Sequence, residues 1–378
     1  MIRTANIQSN GPLYSSRSFL VSALTTLVAL LALACSSTPG TNSSSEKPSI
    51  VAETRTVSKP VQQESTAATL QVMNSPDSAL TRELSGSEIQ QTTLRVDNFI
   101  FDGLISGPIG GIPVMLLHGF PSTAYQWRSQ LATLGDAGYR VFAPNQRGYS
   151  SKARPKQIEN YTYDLLTEDV IAMADALAWD KFHLIGHDWG AFVAWATAGL
   201  HPSRILSLTP VSVPHPEAFA QALENPSGEQ AEMSSYVTFF RSEGSEDTLL
   251  SNDAEILKDL YASANLTDSE MEPYLEVLGT PDALRAALNW YRANNFTGVP
   301  SVSKSNRLTE IPDSPVPTMF IWSDQDTALG REGAELTAVY VTGEYRFEIL
   351  HDVNHWVTEV AADSLNILLL EHLATYSP

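Results

Sequence analysis

The sequence predicts an α/β protein, a mostly parallel sheet with helices on both faces and a helical lid inserted late in the chain. Three observations predict it. From about Leu94 onward, short apolar runs alternate with longer amphipathic stretches, the repeat of buried strand and covering helix. Between Pro214 and about Val302 that alternation stops, and helix-like stretches follow one another without a buried strand. The third is local: an apolar run at 182–185 enters a glycine-flanked turn and then a helix-compatible stretch at 191–199.

The strands expected from apolar runs are residues 114–117, 141–143, 182–185, 205–208, 319–322 and 347–350. Val170, Met173, Ala174 and Leu177 recur at the i, i+3, i+4, i+7 spacing of one helical face, as do Leu365, Leu368, Leu369 and Leu373 near the end. The domain plan is therefore a core in two parts, 92–213 and 303–378, interrupted by a lid at 214–302. In an open α/β sheet the ligand crevice lies beyond the carboxyl ends of the strands, so a lid there roofs the site, excludes water and carries substrate selectivity.

Ahead of the core stand two segments of different character. Residues 19–34 are almost wholly apolar, follow Arg3 and Arg17 with no acidic residue between, and end in Ala32-Leu33-Ala34-Cys35, the outline of an export signal at 1–35. The apolar run is shorter than the roughly 20 residues of a membrane span and is interrupted by Ser22, Thr25 and Thr26. Small residues before a cysteine resemble the bacterial lipoprotein signal, which implies lipidation at Cys35 and an enzyme anchored in the cell envelope; the alternative is a conventional secretory signal that leaves a free periplasmic or secreted protein. Residues 36–91, rich in Ser, Thr, Glu, Gln and Pro, read as a disordered tether.

The formal charge of −20 over 378 residues argues against nucleic acid and anionic membrane surfaces as partners, since both would repel it. Membrane contact is expected through the N-terminal anchor alone. Cys35 is the single cysteine, so neither an intrachain disulfide nor a thiolate metal cluster can form.

Chemistry concentrates at the ends of the expected strands. The run 182–185 leads into Gly186-His187-Asp188-Trp189-Gly190, the strand, sharp turn and helix of a nucleophile elbow with Asp188 in place of the usual Ser. The flanking glycines relieve crowding in so tight a turn, which thrusts the Asp188 side chain out above the sheet. Another strand ends in His118-Gly119-Phe120-Pro121. One oxyanion-hole donor on such a fold follows the nucleophile and the other comes from the loop after the earlier strand, so the backbone amides of Trp189 and Phe120 are the expected pair, with His118 structural. Downstream, Asp324 and Asp326 compete for an acid role and His351 and His355 for the histidine; spacing does not choose.

From about Leu94 to the C-terminus the chain resembles the epoxide-hydrolase branch of the α/β-hydrolase superfamily. The motifs that carry the resemblance are His118-Gly119-Phe120-Pro121, Trp127, Gly186-His187-Asp188-Trp189-Gly190, the turn Trp322-Ser323-Asp324-Gln325-Asp326 and His355-Trp356. The resemblance selects Asp326 and His355 over their neighbours and implies a cis Phe120-Pro121 bond. It also implies two lid tyrosines that hold the epoxide oxygen, for which Tyr291 in Leu288-Asn289-Trp290-Tyr291-Arg292 and Tyr236 in Ser235-Tyr236-Val237 are the candidates; Tyr261 and Tyr274 also stand in the lid. The chain departs from the family at Asn145-Gln146-Arg147-Gly148-Tyr149-Ser150, where an acid usually opens the loop.

The expectation is a hydrolase that opens a small-molecule epoxide to a vicinal diol through a covalent Asp188 ester, with no cofactor and no metal. A haloalkane dehalogenase is the alternative, since Trp189 could offer an indole N–H to a halide. A hydrolase-like protein that binds a ligand without turnover is the other.

Overall fold

A computed structural model describes residues 89–294 and 311–378, together with the backbone of Leu70–Val72. The expected export segment 1–35 with Cys35, most of the expected tether, and the lid-to-core boundary near 302 lie outside the described residues. The described strands are β1 (Leu70–Val72), β2 (Gln90–Val96), β3 (Phe99–Ser106), β4 (Pro113–Leu117), β5 (Arg140–Pro144), β6 (Phe182–His187), β7 (Ile205–Val211), β8 (Thr318–Ser323) and β9 (Tyr345–Leu350). They form one sheet in the order β1-β2-β3-β5-β4-β6-β7-β8-β9. The pairs from β5 to β9 are parallel and those from β1 to β5 through β3 antiparallel.

The parallel strands are built on the apolar runs, because burial on both faces favours apolar side chains; β9, last in the sheet order, is half-buried throughout and admits Arg346 and Glu348. Successive residues then divide between the two cores. Met115 and Leu117 face the cluster built with α2 (Tyr163–Ala176) and α3 (Trp189–Leu200), whereas Val114 and Leu116 face α1 (Arg128–Asp136) and the C-terminal helix Ala362–Tyr376. Full burial of each such side chain contributes about 1.5–3 kcal/mol.

Two departures appear at the N-terminal edge. β2 and β3 form a hairpin across the two-residue turn Asp97-Asn98, with Asp97 at φ 48°. Neither reads as an apolar run, because β2 alternates exposed or half-buried residues with buried ones. Within the stretch 36–91, expected as a tether, Leu70–Val72 pairs antiparallel with β2 in the register Leu70↔Leu94. Pairing of this kind satisfies the backbone groups of an open sheet edge and leaves little trace in hydropathy.

Between β7 and β8 the chain inserts a run of helices: α4 (Pro216–Glu224), α5 (Gln230–Met233), α6 (Tyr236–Arg241), α7 (Ser245–Leu249), α8 (Ser251–Ala262), α9 (Asp268–Leu278) and α10 (Pro281–Ala293). No strand is present in this insertion among its described residues. After β8 come α11 (Arg331–Leu336), α12 (Val357–Val360) and α13, the C-terminal helix already placed under the sheet.

Candidate active site

At the carboxyl end of β6 the backbone turns sharply, and Asp188 sits at φ 53°, ψ −122° before α3 begins at Trp189. A non-glycine residue at such angles carries about 1–3 kcal/mol of strain, held by the surrounding packing. The packing leaves no room for side chains nearby. A Cβ on Gly186 would lie 2.2 Å from the Gly190 carbonyl oxygen, and one on Gly190 would lie 2.1 Å from that of Leu117. A Cβ on Gly119 would stand 2.3 Å from Asp188 Oδ1, so the loop after β4 approaches the carboxylate closely only as glycine.

That approach brings the Phe120 amide to Asp188 Oδ1, donating over 2.8 Å, and the Trp189 amide also hydrogen-bonds the carboxylate. The Phe120-Pro121 peptide is cis. Burial alone would push the Asp188 carboxyl up; the hydrogen bond and charge of His355, with the Trp189 amide, hold it below the usual carboxylate range. Asp188 is therefore a buried anion, with Oδ1 tied to the Phe120 amide. Its second oxygen, Oδ2, faces His355 Nε2 at 3.6 Å.

His355 lies in the loop after β9, and its Nδ1 meets Asp326 Oδ2 at 2.8 Å. Asp326 is fixed in turn, its Oδ1 accepting from the amides of Ala328 (2.8 Å) and Leu329 (3.0 Å). Burial opposes the imidazolium, but Asp326 and Asp188 outweigh it and push His355 up to about 10. The neighbours that competed in the sequence pair elsewhere: His351 Nδ1 meets Asp324 Oδ2 at 2.9 Å, and the His351 side chain is 75% exposed. The geometry thus separates an exposed pair from a buried one.

His118 packs beneath the loop it belongs to. Its Nε2 accepts from the Gln146 amide (3.2 Å), its Nδ1 contacts the Gly119 carbonyl (3.0 Å), and burial lowers it to about 4, leaving a neutral structural ring. His187 did not emerge from the sequence reading as a site residue. Its Nε2 donates to the His355 carbonyl (2.8 Å), and the two rings lie 4.9 Å apart. The only sequence signal for it is its place immediately before Asp188.

Tyr236 and Tyr291 both line the cavity over Asp188, together with Trp189, Phe192 and Phe219. Burial raises both phenols, and the Asp188 charge raises them further. The Trp189 and Tyr291 rings meet edge to face at 5.1 Å, and the Trp189 indole, which can only donate, partly offsets that rise at Tyr291. The other lid tyrosines point elsewhere: Tyr261 donates to the Pro121 carbonyl (2.7 Å) and Tyr274 to Glu359.

The two helices that carry the phenols are clamped on their far side. Glu246 of α7, its side chain 5% exposed, accepts from Arg285 and Arg292 of α10, each at 2.6 Å. Arg292, next to Tyr291, also donates to the Ser242 carbonyl at the end of α6 (3.0 Å). Thr280 caps α10 through the Ala283 amide, ahead of Pro281 at the first helical position.

The cavity over Asp188 measures only about 20 Å³, close to the room of one water, so anything larger needs the surrounding side chains to shift. A larger cavity of about 270 Å³, between β2, β3 and α9, holds none of the groups just described. At the departing loop, Asn145 donates to Asp102 Oδ2 (2.5 Å) and accepts from the Ala124 amide (2.9 Å). An amide suits this position because an acid here would face the Asp102 carboxylate.

A parallel sheet, an elbow aspartate, a histidine–aspartate pair and a helical insertion over the strand ends define a class, and the comparison with known proteins agrees. Residues 112–362 match the alpha/beta hydrolase fold family, and the chain belongs to it. It is 34% identical over 280 residues to "Epoxide hydrolase 4" of Homo sapiens, covering 71% of this chain and 74% of that one. It is 28% identical over 301 residues to "Epoxide hydrolase A" of Mycobacterium tuberculosis, covering 71% and 92%. Among solved structures, epoxide hydrolase A from Mycobacterium thermoresistibile superposes with a TM-score of 0.65 at 27% identity, over 76% of this chain and 98% of that one. This chain is thus an epoxide-hydrolase-like α/β hydrolase.

Proposed function

We propose that the protein hydrolyses epoxides to vicinal diols through an ester on Asp188. The observation that carries this reading is one cavity lined by a buried aspartate and two lid phenols, the half-buried Tyr236 and the buried Tyr291. A carboxylate nucleophile needs a leaving group on saturated carbon, and an epoxide oxygen leaves well only when it is protonated as the bond breaks. Asp188 Oδ2 attacks the ring carbon, the carbon–oxygen bond breaks, and the oxygen takes a proton from a phenol. Esterification removes the Asp188 charge that helps raise the phenols, so they become stronger acids as the alkoxide forms.

The same loss of charge acts on His355. One of the two carboxylates that hold it protonated disappears, which lowers its pKa; its proton passes by way of solvent to the phenolate left by ring opening, and the neutral ring then accepts a proton from water. That water adds to the ester carbonyl, the Phe120 and Trp189 amides hold the tetrahedral oxyanion, and collapse releases the diol and restores Asp188. The apolar run that ends at Cys35 supports placing this chemistry in a cell envelope.

Intact mass tests the reading. His355→Gln should gain the mass of one whole epoxide, mapped to Asp188, and then stall, while Asp188→Ala should gain nothing and lose turnover altogether. A gain of an alkyl group with loss of halide from haloalkanes would transfer the protein to the dehalogenases. Steady turnover by either variant would overturn the assignment.

A further inference from the structure

Two residues at the end of lid helix α8, Tyr261 and Ser263, between them reach both catalytic loops. Tyr261 is fully buried, its hydroxyl donates to the Pro121 carbonyl next to Phe120, and its ring stacks on Tyr274 at 5.1 Å. Two residues on, Ser263 grips the loop of His355 from both sides. Its carbonyl accepts from Asn354 Nδ2 at 2.9 Å, and its hydroxyl oxygen accepts from the Trp356 indole N–H at 2.7 Å. The Ser263 hydroxyl proton is spent on the Leu260 carbonyl (2.6 Å), so its oxygen is held in place as an acceptor.

The flanks of His355 are therefore set by the lid and not by the sheet alone. From within the core, the His355 carbonyl is held by His187, and the Asn354 carbonyl accepts from Ser323 Oγ at 3.0 Å. The side chains of both flanking residues, by contrast, end on Ser263. Tyr236 and Tyr291 stand on α6 and α10, which have no part in these bonds.

We propose that Ser263, anchored by Tyr261, is a positioning residue for the ester-hydrolysis half of the reaction, tying the base loop to the lid through Trp356. The inference rests on the epoxide-opening reading above. His355 acts on water only after the ester exists, so loosening its loop slows the second half and leaves ring opening to Asp188 and the phenols. Loss of a hydrogen bond of this kind corresponds to about tenfold in rate.

The experiment measures two rates on the full chain by quenched-flow and intact mass: ester formation with a styrene oxide probe, and ester loss. In Ser263→Ala, ester formation should stay within about twofold of the parent while ester loss falls about tenfold, so that the adduct accumulates at steady state. Ser263→Thr keeps the hydroxyl and should restore ester loss, which a role in packing alone would not predict. Should Ser263→Ala fold poorly, Trp356→Phe removes the indole N–H, retains a ring and should show the same split. Unchanged ester loss, or equal slowing of both rates, would overturn the positioning role. Absence of adduct even in His355→Gln would instead sink the epoxide reading, so the two failures are distinguishable.

Discussion

The sheet side and the lid side of the site are built differently. On the sheet side, each reactive group is fixed from strand ends by direct hydrogen bonds: Asp188 by the Phe120 and Trp189 amides, Asp326 by two amides, His355 by Asp326. On the lid side, Tyr236 and Tyr291 stand on separate helices whose relation is set by an ion network around Glu246 and by aromatic edges, such as Tyr236 on Phe240 at 5.3 Å and Tyr291 on Phe240 at 5.2 Å. The difference teaches how the reaction is divided. On the mechanism proposed above, the groups that would form and cleave the ester are fixed by hydrogen bonds from strand ends, while those that would receive the leaving oxygen stand on helices that must shift to admit anything larger than a water.

The sharpest test of that division is Tyr291→Phe. Loss of the phenol should slow ester formation by about 10²-fold, with ester loss unchanged, as followed by the same two-rate measurement. Equal slowing of both steps would erase the division. A smaller effect is expected from Glu246→Gln, which leaves Arg285 and Arg292 without their shared carboxylate. Stability should drop by about 2–3 kcal/mol in urea unfolding, moderated because Arg285 is half-exposed and can be hydrated. Ester formation should slow with it, through the changed spacing of α6 and α10, and a variant with slowed ester loss instead would show that the clamp serves the sheet side.

A further test is pH dependence. His355 is raised from its ordinary 6.5 to about 10, so its ion pairing contributes stability that is complete below pH 6.5 and fades as pH climbs toward 10. Asp188→Asn removes one of its partners and should flatten that alkaline limb of the urea midpoint. The buried His118, His187, His215 and His372 are lowered to about 4 and His183 to about 3, all by burial, so their contribution is complete above pH 6.5 and is lost as pH falls toward 4. The acid limb should be the steeper of the two. An alkaline limb that survives Asp188→Asn unchanged would show that the Asp188–His355 contact is weaker than the geometry gives.

Much of the core was legible because strands buried on both faces favour apolar residues, which is why β4 to β8 stand out as short runs; β9, half-buried with Arg346 and Glu348, shows only as the shorter run 347–350. The hairpin of β2 and β3 was not, since a strand with one half-exposed face, rich in Gln and Thr, looks like a linker to any reading of hydropathy. The elbow was legible because its glycines answer a local steric demand. Tyr236 and Tyr291 were reachable only through resemblance, for a tyrosine in an amphipathic helix carries no mark of where its hydroxyl points, and Tyr261 and Tyr274 have the same appearance yet bond to Pro121 and Glu359.

By itself the sequence determined the six strands from β4 to β9, the place of the insertion and the nucleophile turn, because periodicity, burial and backbone crowding act over a few residues at a time. Spacing left Asp324 and Asp326 open and the resemblance chose Asp326; only the tertiary structure paired Asp326 with His355, joined His187 to the back of His355, and set the two phenols over Asp188. Those choices depend on distances between chain segments far apart in sequence, and such distances exist only once the sheet and the lid have packed together.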